Sequence, residues 1–206
     1  MSFLTFPAYP PPSSVDIRLI SRTNELTSAF GGPTQRINRT GSRFAIDVTL
    51  PPMNGETARP WLAALAAASS ATPARMAFPQ GRAVIPATAT TEGPTPGVKV
   101  NGAGQAGSTL IVDGLIPGVS LPAGHALSVI TAGVPYLYLL TAPFTANGSG
   151  QATLAIGPML RRSPADNDEV LLEEPIIEGW AFSGGGRWSI DAAAHFGLQF
   201  TLAERQ

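Results

Sequence analysis

Two groups of residues in this chain have types and spacings that could support chemistry. Gly102-Ala103-Gly104-Gln105-Ala106-Gly107 fits G-x-G-x-x-G and follows a short β-branched run, Val98-Lys99-Val100. In a dinucleotide-binding loop those glycines let the backbone approach a pyrophosphate, whose charge then rests on the N-terminus of the next helix. The second group is acidic: Asp166, Asp168, Glu169, Glu173, Glu174 and Glu178. Such a cluster could supply the two carboxylates that glycoside hydrolysis needs at a set separation.

Neither pattern has the context its chemistry requires. The glycines run into Ser108-Thr109-Leu110-Ile111-Val112-Asp113-Gly114, a β-branched stretch ending in a hairpin signal, so a strand follows instead of a helix. The acidic residue that should take a ribose about 20 positions on is missing, because no Asp or Glu lies between Leu115 and Ala165. The expectation is a glycine-rich turn between two strands. The acidic cluster reads as a solvated loop and strand edge, where like charges discourage wrong pairing. Asp166-Asn167-Asp168 has the start of a calcium loop without its glycine or terminal glutamate. With no cysteine and only His125 and His195, thiolate metal sites and cysteine nucleophiles are excluded, and little remains for a serine–histidine pair. No catalytic residue, cofactor site or metal site is expected, and the chain is not read as an enzyme.

The elements that would position these residues are mostly strands. The 206 residues include 22 Gly and 20 Pro, a density of turn formers that favours short strands. Charged residues are 13%, about half the usual share, with formal net charge −1. A surface so poor in charge is expected to be covered in part by other subunits. Arginines are scattered without a basic stripe, which argues against specific nucleic-acid binding. The start, "MSFLTFPAYPPPSS", has no basic n-region and no long apolar run, and no membrane span is expected.

Residues 1–14 read as an extended proline-rich arm available to a neighbour. Val15–Arg22, Thr34–Asn38 and Ser42–Leu50 read as strands, the last with Phe44, Ile46, Val48 and Leu50 on one face. One helix is expected over about 54–69, capped by Asn54, with Trp61, Leu62, Leu65 and Ala66 sharing a face; Pro60 should either start it or bend it. A Pro/Gly/Thr linker follows at Thr88–Gly97, a second candidate for contact between subunits. Residues 98–159 form a segment with turns every 8–12 residues and strands at Thr109–Val112, Ala126–Thr131, Pro135–Leu140 and Gln151–Ile156, read as an inserted small β-barrel or sandwich. Strands then follow at Glu169–Ile177, Trp180–Ile190 and His195–Glu204. Residues 15–97 and 160–206 together are read as one discontinuous β-domain with one helix.

The ordered phrases "SAFGGPTQRINRTGSRFAIDVTLPPM", a Trp-bearing helix, "VKVNGAGQAGSTLIVDGL", "LPAGHALSVI", "GSGQATLAIGPMLRRSPADNDEV" and "GLQFTLAE" carry a resemblance. From about Ser28 to Glu204 the chain resembles distal tail proteins of siphophages and prophages. The resemblance implies a tail-tube-like β-sandwich with one helix plus the inserted barrel. It implies self-assembly into a ring, six copies favoured over three, that joins the tail tube protein to hub and receptor-binding proteins at the tail tip. The implied location is the virion, after assembly in the host cytoplasm, with no membrane partner. One position departs: an acidic residue is expected after Gly124, where this chain has His125. Candidate interface residues are Phe3, Phe6, Tyr9, Arg161, Arg162, Trp180 and Trp188, because large aromatics and arginines dominate interface energetics. The alternative is a carbohydrate-binding β-module for host-surface recognition, with Val98–Ile156 as the binder and Trp180, Trp188, Tyr136 and Tyr138 as candidate stacking residues.

Overall fold

The computed structural model describes residues 3–27, 31–69, 72–81, 97–181 and 186–205. In chain order its elements are β1 (Leu4–Thr5), β2 (Ser14–Ile20), β3 (Thr23–Leu26), β4 (Gln35–Asn38), β5 (Arg43–Thr49), α1 (Gly55–Ala68), β6 (Ala74–Ala77), β7 (Lys99–Val100), β8 (Thr109–Asp113), β9 (Ser120–Leu121), β10 (Ala126–Thr131), β11 (Val134–Leu140), β12 (Phe144–Thr145), β13 (Ala152–Gly157), β14 (Glu169–Leu171), β15 (Ile176–Ala181), β16 (Arg187–Ile190) and β17 (Phe196–Glu204). The protein is mainly β, with one helix among the described residues.

Two bodies share the chain. A seven-stranded sheet has the order β1-β6-β15-β17-β5-β2, with β16 paired to β17 beside β15. All its pairings are antiparallel except β1 with β6. The second body is a closed barrel, β10-β11-β13-β8-β7-β14. Its closing strand β14 comes from beyond residue 159, so the barrel reaches past the 98–159 segment read from the sequence. The acidic stretch expected as one strand over Glu169–Ile177 breaks at residues 172–175. Its first part closes the barrel and its second enters the sheet as β15.

The helix buries one face of the sheet. Asn54 Oδ1 accepts from Thr57 N–H (2.9 Å) at its N-terminus, and Glu56 sits favourably in the first turn. Pro60 lies inside the helix on its exposed side and does not start it. The buried face is Ala58, Trp61, Ala64, Leu65 and Ala68; Leu62 is at its margin and Ala66, expected inside, faces solvent. The small alanines let the helix sit close to Phe44, Ile46 and Val48 of β5 and to Leu198, Phe200 and Leu202 of β17, all alternating inward.

The N-terminal segment is part of this core, which corrects its reading as a free arm. β1 pairs with β6, and Phe6 is 4% exposed, stacked on Trp61 at 5.9 Å and packed on Phe200 at 4.9 Å. The Trp61 indole N–H donates to Tyr9 O (3.0 Å), tying the segment down further. Prolines that signal an extended chain are compatible with that docking, because an extended strand edge is what the sheet accepts. The linker expected at Thr88–Gly97 lies outside the described residues, apart from Gly97.

Strands β10 and β11 belong to both cores. Leu127, Val129, Tyr136, Tyr138 and Leu140 fill the barrel, while Ala126 and Leu137 point outward into the core under the helix. With both faces buried, β11 reads as the nearly unbroken apolar run Val134-Pro135-Tyr136-Leu137-Tyr138-Leu139-Leu140.

Candidate functional site

The G-x-G-x-x-G segment is a self-contained loop. Gly102, Gly104 and Gly107 have φ of 90°, 81° and 83°, where glycine is favoured. Gln105 fills the loop: its amide donates to Asn101 O and Ile111 O, and its carbonyl accepts Ile111 N–H at 2.6 Å. The loop's own N–H groups are occupied too, Gly102 by Asp166 Oδ1 (2.8 Å) and Gly104 by Pro164 O (3.3 Å). Strand β8 follows, as expected.

The acidic residues do not converge. Asp166 and Asp168 brace the loop before β14 by accepting backbone N–H groups. Glu178 is 2% exposed and paired with Arg75, which also donates to Gly133 O (2.6 Å), and with Arg205 (2.7 Å). Glu169, Glu173 and Glu174 remain exposed on the barrel, lining a cavity of about 280 Å³ with Gly97 and Val98. Among the described residues no three His, Asp or Glu side chains are grouped to hold a metal. Among the described residues no helix is long and apolar enough to cross a membrane.

Buried charged groups also meet at the joint between sheet and barrel. Glu204, at the end of β17, is 2% exposed; Oε2 accepts Phe44 N–H (2.7 Å), while Oε1 accepts Leu137 N–H (2.9 Å) and pairs with the Arg161 guanidinium. It thus binds a sheet strand, a barrel strand and the segment after β13 at once. Burial pushes its carboxyl above the ordinary value of 4.5, against the downward pull of Arg161 and the two N–H groups. The Arg161 side chain is 5% exposed and lies over Tyr136 at 4.9 Å, while its backbone N–H donates to the Tyr138 hydroxyl (3.2 Å). Burial raises the Tyr138 phenol above 10.0. Ser128 adds a further tie, its hydroxyl donating to Ile176 O and accepting Ile176 N–H, both at 2.8 Å.

Beside this network lies a cleft of about 580 Å³ lined by Arg22, Arg39, Arg161, Arg162, Thr40, Gly41 and Tyr136. Arg22 follows β2, Arg39 precedes β5, and Arg161-Arg162 follow β13, so the two bodies build it together. Arg161 and Arg162 were singled out from sequence; Arg22 and Arg39 were missed, and only the fold joins them. A second unread feature is Asp16 opposite Asp47 in the β2–β5 register. Arg18 pairs with Asp47 (2.9 Å), the Thr201 hydroxyl donates to it, and both carboxylates line an open cavity of about 530 Å³.

The remaining candidates separate by exposure. Phe6 is in the core and is withdrawn as an interface residue. Tyr9 is 75% exposed, and Phe3 is exposed with Arg75 over its ring at 3.6 Å. Trp180 and Trp188 are 42% and 58% exposed, with Ile17, Leu19 and Ile190 also exposed on strands of the same sheet. Tyr136 and Tyr138 lie in the barrel core, so neither offers an open ring face for a sugar. His125 bonds Leu172 O (2.7 Å), and His195 pairs with Asp191 on the exposed turn between β16 and β17, whose carboxyl the His195 backbone N–H holds below the ordinary range.

The fold and site define a mainly β protein with two joined cores and an arginine-lined cleft at the joint. In comparison with known proteins, no protein-family model and no curated protein matches the chain.

Proposed function

We propose that the chain is a structural component of a phage tail tip, a distal tail protein that self-assembles into a ring between the tail tube and the hub and receptor-binding proteins. On this reading the helix-covered sheet is the tail-tube-like β-sandwich element, and the barrel is its inserted domain. The observation that carries the reading is the open sheet edge. β2 ends the sheet order, and it presents Ile17 and Leu19 at 47% and 54% exposure. Trp188 and Ile190 of β16 are exposed on the same face of the sheet as Ile17 and Leu19, and Trp180 is exposed on the opposite face. An edge strand with exposed large apolar side chains is a liability in a monomer and is relieved when the next copy covers it. A head-to-tail contact that closes makes a ring. The enclosed polar groups at the joint hold sheet and barrel in one orientation, as a ring subunit requires.

The test is light scattering with negative-stain imaging of the purified chain. Closed rings are expected, of six copies in preference to three, and Ile17→Lys with Leu19→Lys should abolish them while leaving the circular dichroism spectrum unchanged. A wild-type chain that stays monomeric at every concentration would overturn the reading.

A further inference from the structure

The cleft is lined by four arginines and by no Asp or Glu. Arg161 is balanced by Glu204, but Arg22, Arg39 and Arg162 are exposed and have no ion-pair partner among the described residues. Like charges lining one cleft raise the local potential unless an anion joins them. Guanidinium forks match carboxylates in bidentate geometry.

The same chain carries a matching surface. Glu169, Glu173 and Glu174 stand exposed around the end of β14. Glu169 and Glu174 have no ion-pair partner among the described residues. The acidic rim and the arginine cleft share no residue, so one copy can offer its rim while its own cleft is occupied. We propose that the cleft is a carboxylate receptor for a second copy of this chain, filled by the Glu169–Glu174 rim of its neighbour. The contact is head-to-tail, the kind that propagates and closes into a ring. This inference rests on the ring reading above and names the polar half of that interface. Nucleic acid is the less favoured occupant, because the chain's net charge is −1 and its arginines are scattered along the sequence.

The experiment uses the full chain in three charge-reversed forms: Arg39→Glu with Arg162→Glu, Glu169→Arg with Glu174→Arg, and all four changes together. All substituted positions are exposed, so thermal midpoints should match wild type. Association is followed by sedimentation at low and high salt. Each pair of reversals should weaken self-association at least about tenfold, the fourfold variant should recover it, and wild-type association should fall with salt. If wild type forms rings and both paired variants do so equally well, this contact is overturned while the ring reading stands. If wild type never associates, both fall. If the reversed cleft loses binding to a short single-stranded oligonucleotide while rings persist, the cleft serves phosphates and the proposal is overturned.

Discussion

At the scale of single residues, Arg161 and Glu204 carry the most consequence. Their pair is buried, and each also satisfies backbone or aromatic groups in both bodies. Replacing Arg161 by Leu leaves a buried carboxylate without its cation, a loss of about 3–5 kcal/mol. The pH dependence follows from the raised carboxyl of Glu204. Stability linked to a group with a raised folded pKa is fully present below its unfolded value and is lost as pH rises through the folded one. Removing Arg161 removes the largest pull in the other direction. The deficit of Arg161→Leu, read from urea midpoints, should therefore be smallest below about pH 4.5 and widen as the pH rises. Gly179 is a second sensitive position. A Cβ there would sit 1.9 Å from Ala203 O in the paired strand β17. Gly179→Ala should cost about 2–4 kcal/mol, because backbone on both sides of the clash must move. Gly148→Ala, where a Cβ meets nothing within 4 Å, should stay within about 0.5 kcal/mol in the same assay.

At the scale of elements, the N-terminal strand belongs to the core. Phe6 closes an aromatic group with Trp61 and Phe200, and β1 supplies one edge of the sheet. Phe6→Ala should lower stability by about 3–5 kcal/mol, and deleting residues 1–12 should lower it at least as much. Chemical denaturation of the purified variants checks this. A truncated chain with unchanged midpoint would mean that the helix and β17 pack without Phe6. The elements differ in how far sequence revealed them. β5, β10, β11, β13 and β17 stood out because strict alternation, or burial on both faces, leaves long readable runs. β14 was read only as the start of one strand over Glu169–Ile177: three residues in an acidic stretch carry too little pattern to show the break, and the strand's place is defined by its partners β7 and β10. The helix face was read one position out of place at Ala66, since alanine carries no information about which side is buried until the sheet is placed against it.

At the scale of the whole molecule, the joint between sheet and barrel determines what any surface can do. The Ser128 hydroxyl bonds the Ile176 backbone across it, the Arg161 guanidinium donates to Arg205 O and the Glu204 carboxylate accepts Leu137 N–H, alongside the direct contact of Leu137 with the helix-side core. Ser128→Ala would leave both polar groups of Ile176 without that hydroxyl and should cost about 1–3 kcal/mol. Hydrogen exchange should show the loss concentrated in β10 and β15, the two strands that the hydroxyl joins. The exposed edge at Ile17 and Leu19 and the arginine cleft lie on this fixed frame, which is why assembly and charge-reversal experiments can read them separately from folding.

By itself the sequence determined that the protein is mainly β with one helix, where most strands run, and that its glycine-rich motif is a turn. Those properties depend on local pattern: alternation, a capping Asn54, β-branched residues after Gly107 and Asp-Gly at the next turn. Only the tertiary structure decided that Phe6 is inside, that β14 closes the barrel, that Glu178 and Glu204 are buried in ion pairs, and that Arg22 and Arg39 meet Arg161 and Arg162. Those facts are pairings between residues far apart in the chain. No local pattern encodes them, because they follow from which strand edges and apolar faces satisfy one another once the two cores are built.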